Sequence, residues 1–111
     1  MPHNIEGIQQ FTAEEVKKII EDPKDIVILD VREPEEYNAG HIPGVPLVPM
    51  HTIPSKLNEL DKDKEYLFIC RSGNRSHQVA RFLKQNGFEK VNNFNGGMLS
   101  WTEPVKTGME E

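Results

Sequence analysis

Cys70 is the only cysteine among the 111 residues, and it closes the apolar run Tyr66 to Cys70 directly before Arg71-Ser72-Gly73-Asn74-Arg75-Ser76. In open α/β sheets ligands bind beyond the carboxyl ends of the strands, which is where such a cysteine would lie. The stretch after it combines a glycine that permits tight backbone geometry, two arginines, two hydroxyls and the start of a helix, so amide hydrogens can converge on one anion. The same field stabilises a thiolate. Lowering a thiol pKa from ~8.5 by about two units, roughly 2.7 kcal/mol, makes most of it nucleophilic at pH 7. Cys70 is therefore expected to be the reactive residue, with Arg71, Ser72, Gly73, Asn74, Arg75 and Ser76 as its substrate-binding cradle. A lone cysteine is more commonly an inert strand residue, but that reading ignores the two arginines.

Composition narrows the setting. One cysteine cannot close an intramolecular disulfide, so the fold stands on packing alone, as expected for a cytoplasmic protein. Thirteen basic against eighteen acidic side chains leave a net charge of −5, and no basic run exceeds Lys17-Lys18, which argues against nucleic acid or an anionic membrane as partner. The apolar runs are far shorter than the ~20 residues that cross a bilayer, and Met1 to Gln10 has no secretory pattern. His3, His51 and His77 show no metal-ligand spacing, and neither a metal nor a cofactor is expected. The length suits one domain, 1–111, with a core over about 8–104 and short flexible tails.

The elements that must position Cys70 follow from periodicity. Phe11 to Glu21 has Val16, Ile19 and Ile20 at helical spacing, with Thr12 and Glu15 as a capping box. Ile26 to Val31 predicts a strand buried on both faces. Pro34, Glu35 and Glu36 open a short helical turn that stops at Gly40. Val45 to Val48 is a candidate short strand among prolines, and Ile53 to Leu60 has helical spacing. Tyr66 to Cys70 is the second clear strand; a helix follows with Val79, Phe82 and Leu83 inward, ending before Gly87. Val91 to Phe94 is a last short strand, and Met98 to Thr102 adds a turn bearing Trp101. Strands alternating with helices at these intervals predict an α/β domain with a mostly parallel sheet.

Three ordered motifs resemble the rhodanese-like sulfurtransferases: Asp30-Val-Arg-Glu-Pro-Glu-Glu-Tyr37 with Gly40-His-Ile-Pro-Gly44, the active-site loop Cys70 to Arg75, and Gly96-Gly97 with Trp101. The resemblance implies a single-domain member with a five-stranded sheet between helices on both faces, and Cys70 as the residue that becomes a persulfide. It further implies a small anionic sulfur donor such as thiosulfate and a thiophilic acceptor: cyanide, a thiol or a protein cysteine. Asp30 and Arg32 are supporting residues that either line the site or form a structural ion pair. His41 is expected to tie a turn, Gly96 and Gly97 to serve backbone geometry, and Trp101 to be a core or rim aromatic.

Two rivals stand beside this reading. In a redox-sensing or noncatalytic protein-binding module, Cys70 is oxidised or docks a partner. Cysteine-dependent phosphatases and arsenate reductases place the arginine six positions after the cysteine, whereas Arg75 lies five after Cys70, a tighter loop better suited to one sulfur atom.

Overall fold

The structure is a computed structural model that describes residues 3–109. Its strands and helices are β1 (His3–Ile5), β2 (Ile8–Phe11), α1 (Ala13–Glu21), β3 (Ile26–Asp30), α2 (Pro34–Ala39), β4 (Glu65–Ile69), α3 (Asn74–Gln85) and β5 (Val91–Phe94). They form one five-stranded sheet in the order β1-β2-β5-β4-β3. Only the β1–β2 pair is antiparallel; β2–β5, β5–β4 and β4–β3 are parallel.

Alternation along the inner strands divides the core into two layers. Leu29, Val31, Tyr66, Phe68 and Cys70 pack with Val79, Ala80 and Leu83 of α3 on one face. Leu67, Ile69 and Phe94 pack with Val16 of α1, Ile42 and Val45 on the other. A strand sends successive side chains to opposite faces, so continuous apolar runs such as Tyr66 to Cys70 supply both layers at once. The sheet is flanked by helices on both faces.

The structure differs from the sequence reading in several places. Phe11 ends β2 and does not belong to the first helix, which starts at Ala13 behind the Thr12–Glu15 capping box. The expected strand at Val45 to Val48 is a single parallel bridge between Leu47 and Asp30. There the Asp30 amide donates to Pro46 O at 3.0 Å and the Val48 amide to Asp30 O at 2.8 Å; Pro46 and Pro49 have no N–H with which to extend the ladder. The fourth and fifth strands come instead from the β1–β2 hairpin, whose Glu6-Gly7 turn has positive φ at both residues. Ile53 to Leu60 is not α-helical: Met50–Thr52 and Pro54–Glu59 are 3-10 turns, because Pro54 cannot donate back to Met50 and the chain closes i→i+3 bonds instead.

β3 is the last strand of the sheet, so Ile26, Val27 and Ile28 are only half-buried. The flanks expected as flexible tails carry hydrogen bonds. His41 and Lys106 exchange backbone bonds at 2.9 Å, and the Gly108 amide donates to Asn38 O at 2.9 Å. The ends of those tails, 1–2 and 110–111, lie outside the described residues.

Candidate active site

Cys70 follows β4 and is fully buried, with 0% of its surface exposed. The loop from Arg71 folds back over it, and the Gly73 amide donates to Cys70 Sγ at 3.1 Å. That return needs glycine. Gly73 has φ +94°, and a Cβ there would lie 1.9 Å from Asn95 O. From below, Ser76 in the first turn of α3 places Oγ 3.3 Å from Sγ, and the same hydroxyl donates to Asn93 Oδ1 on β5. The 3-10 turn Gly97–Ser100 is stitched to the loop from the side, its Met98 and Leu99 amides donating at 2.9 Å to Cys70 O and Arg71 O. Gly97 lies so near that a Cβ would sit 2.4 Å from Arg71 O.

Charge is distributed unevenly around the loop. Arg75 donates through both terminal nitrogens to Glu36 of α2, at 2.7 and 2.8 Å. Glu36 also accepts from the Glu33 amide at 3.0 Å. The Arg75 guanidinium, against the opposing effect of burial, holds Glu36 at a pKa of about 2. Glu36 in turn raises Arg75 above its ordinary value, against the opposing effect of burial. Arg71 is exposed and makes no ion pair among the described residues. It is the loop cation available to an incoming anion.

The structure therefore brings Cys70, Gly73 and Ser76 together, leaves Arg71, Ser72 and Asn74 exposed, and turns Arg75 to Glu36. Asp30 and Arg32 form a buried bidentate pair, with Arg32 also donating to Gly40 O at 2.9 Å. This joins the end of β3 to the end of α2 and commits the two charged groups to each other. His41 stacks on Tyr37 with ring centroids 3.7 Å apart, and its Nδ1 lies 3.0 Å from Tyr37 O. Trp101 meets Phe94 edge-on at 6.2 Å in the layer facing α1.

A family model described as "Rhodanese-like domain" matches residues 12–104. The chain belongs to the rhodanese-like family. Bacillus subtilis YtwF is 43% identical over 99 residues, a span covering 89% of this chain and 95% of that protein. A protein of Allochromatium vinosum named "Sulfurtransferase" is 35% identical over 94 residues, covering 85% of this chain and 88% of its own. The crystal structure of a rhodanese-like domain protein from Staphylococcus aureus superposes with a TM-score of 0.80 at 37% identity, covering 89% of this chain and 97% of that one. Sulfur transfer is the activity these relatives support for the present rhodanese-like chain.

Sequence reasoning missed Glu36, Asn93 and Gln10. Glu36 lies within the first motif but reads there as an ordinary helix-start acid. Asn93 had a usable signal: Val91-Asn-Asn-Phe94 puts two amides into a strand that is buried throughout, and buried amides require partners.

Proposed function

We propose that this chain moves a sulfane sulfur from a small anionic donor such as thiosulfate to a thiophilic acceptor through a persulfide on Cys70. The Cys70 thiolate attacks the outer sulfur of thiosulfate. A new S–S bond forms, the old one breaks, and sulfite leaves with its electron pair. The persulfide then carries the negative charge on its terminal sulfur, and an acceptor nucleophile, a thiol or cyanide, attacks that sulfur and returns Cys70 as thiolate.

The observation that carries the reading is the Gly73 amide aimed at Cys70 Sγ from a loop that folds back only because residue 73 lacks a Cβ. It is a donor fixed before any charge arrives. Arg71 supplies an unpaired positive charge at the exposed side of the loop for capture of the donor. Arg75 acts one step removed: tied to Glu36, it fixes the loop against α2 and contributes a partly neutralised field. This arrangement also disfavours phosphoryl transfer, since the arginine that would clamp a phosphate has both terminal nitrogens committed to a carboxylate. The lone thiol suits a reducing cytoplasm.

Intact-mass spectrometry of the reduced protein mixed with thiosulfate tests the proposal. A gain of about 32 Da in the wild type, absent from Cys70→Ser and discharged by cyanide as thiocyanate, is the expected result. Failure to load from thiosulfate, mercaptopyruvate or polysulfide, while Cys70 still alkylates, overturns it in favour of a redox or binding module.

A further inference from the structure

Beneath Cys70 runs a chain of buried polar side chains whose direction is set by two backbone carbonyls. Asn93 Nδ2 lies 3.0 Å from Gly73 O and 2.8 Å from Gln10 Oε1. A carbonyl only accepts, so the amide nitrogen of Asn93 must face Gly73, and its Oδ1 must face Ser76. In the same way Gln10 Nε2 lies 3.1 Å from Ile8 O and 3.2 Å from His77 Nδ1. The Gln10 nitrogen thus donates to His77, whose Nε2 lies 2.8 Å from Glu6 Oε1. Every bond points outward: Ser76 to Asn93, Asn93 to Gln10, Gln10 to His77, His77 to Glu6.

Ser76 has one hydroxyl proton and two neighbours that would take it, Asn93 Oδ1 and Cys70 Sγ. Asn93 is fully buried and its Oδ1 can only accept. Turning the proton toward sulfur leaves that oxygen without a donor, which costs about 1–3 kcal/mol. We propose that Asn93 is a positioning residue that draws the Ser76 proton away from the sulfur, so that Ser76 accepts from the Cys70 thiol rather than donating to a thiolate.

The inference rests on Cys70 being the sulfur-bearing residue and concerns which form of that sulfur its surroundings favour. Gly73 donates to Sγ in any state, whereas the Ser76 oxygen favours a sulfur that carries a proton or no charge. The inner sulfur of a persulfide is uncharged. The chain through Asn93 therefore disfavours free thiolate relative to both the resting thiol and the loaded persulfide. The charged groups around the sulfur lie elsewhere: Arg71 and Arg75 on the loop and α3, Glu36 on α2 through Arg75, and the Asp30–Arg32 pair at the end of β3. From the floor, Ser76 and Asn93 present only neutral groups.

The test is the pH profile of iodoacetamide alkylation for the wild type, Ser76→Ala, Asn93→Leu and the double variant, with circular dichroism to establish folding. Asn93→Leu, which keeps the branching of asparagine but removes its oxygen, frees the Ser76 proton to reach sulfur. Its profile is expected to move toward lower pH, raising the rate on the acid limb about tenfold. Ser76→Ala is expected not to move the profile toward higher pH, and the double variant to match it. A shift of Ser76→Ala toward higher pH refutes the proposal, because it means that the hydroxyl donates to the thiolate. An unmoved Asn93→Leu profile also refutes it. Should Asn93→Leu not fold, the direction of the Ser76→Ala shift decides alone. Alkylation needs no sulfur donor, so a wild type that alkylates but does not load overturns the transfer reading and leaves this test readable.

Discussion

Replacing Gly73 by alanine tests whether the loop's return over the sulfur is what loads it. The added Cβ would sit 1.9 Å from Asn95 O, where ordinary contact starts at 3.4 Å, so ~1.5 Å of retreat is needed. Asn95 cannot yield freely, because its amide is held to Phe11 O at 3.0 Å, and the movement falls on the loop. The Gly73 amide belongs to the displaced residue. A shift of that size carries it from 3.1 Å to beyond 4 Å from Sγ and breaks the bond. Positive φ at a residue with a Cβ adds about 1–2 kcal/mol of backbone cost, and a misplacement near 1 Å at a reacting centre lowers rates about a hundredfold. Gly73→Ala should thus unfold at lower urea and gain the persulfide mass about a hundred times more slowly. Gly44→Ala is the control, with φ +86° but nothing within 4 Å of its Cβ; it should bear the backbone cost alone and load at the wild-type rate. Wild-type loading by a folded Gly73→Ala protein would refute the reasoning.

Other expectations follow from the charges. Arg71→Ala should raise the KM for thiosulfate about three- to tenfold with little change in kcat, and should flatten the salt dependence of kcat/KM in steady-state assays. Glu36 titrates at about 2 when folded, below its ordinary value of 4.5. Its ion pair is therefore fully stabilising above pH 4.5 and is lost as pH falls toward 2. At a half-exposed site the contribution is about 1 kcal/mol, and urea midpoints of the wild type and Glu36→Gln should converge over that window. Arg32→Met strands the Asp30 carboxylate, 1% exposed, and should cost about 3–5 kcal/mol. Asp30→Asn combined with Arg32→Met should recover much of that loss in thermal unfolding.

The parts of the fold legible in the sequence were those written in period and punctuation. Tyr66 to Cys70 and Ile26 to Val31 read as strands because both layers of the core draw on them, and Thr12 with Glu15 marked the cap of α1, although the helical spacing read from Phe11 began it two residues early. The hairpin was not legible: Glu6-Gly7 lacks the usual asparagine or aspartate turn signal, and β1 is only three residues long. The helical spacing of Ile53, Leu57 and Leu60 described which side chains face the core but not how the backbone gets there, which the missing N–H of Pro54 decides. In the site, the cysteine and the loop that folds back over it could be read from residue types. The partner of Arg75 could not, since it lies 39 residues away on another element, and a guanidinium beside a thiol looks the same in one dimension whether or not a carboxylate already occupies it.

The complete burial of Cys70 has a kinetic corollary. A sealed thiol reacts only through the fraction of molecules in which its cover is open, so an observed bimolecular rate is the intrinsic rate multiplied by that fraction. An opening populated in about one molecule in a hundred, roughly 2.7 kcal/mol uphill, slows every reagent a hundredfold without altering its pH profile. Reagents too wide for the opening would be excluded outright. The resting protein would then resist glutathione disulfide and large oxidants while admitting a donor that presents one terminal sulfur, and at high reagent concentration its labelling would become as slow as the opening itself.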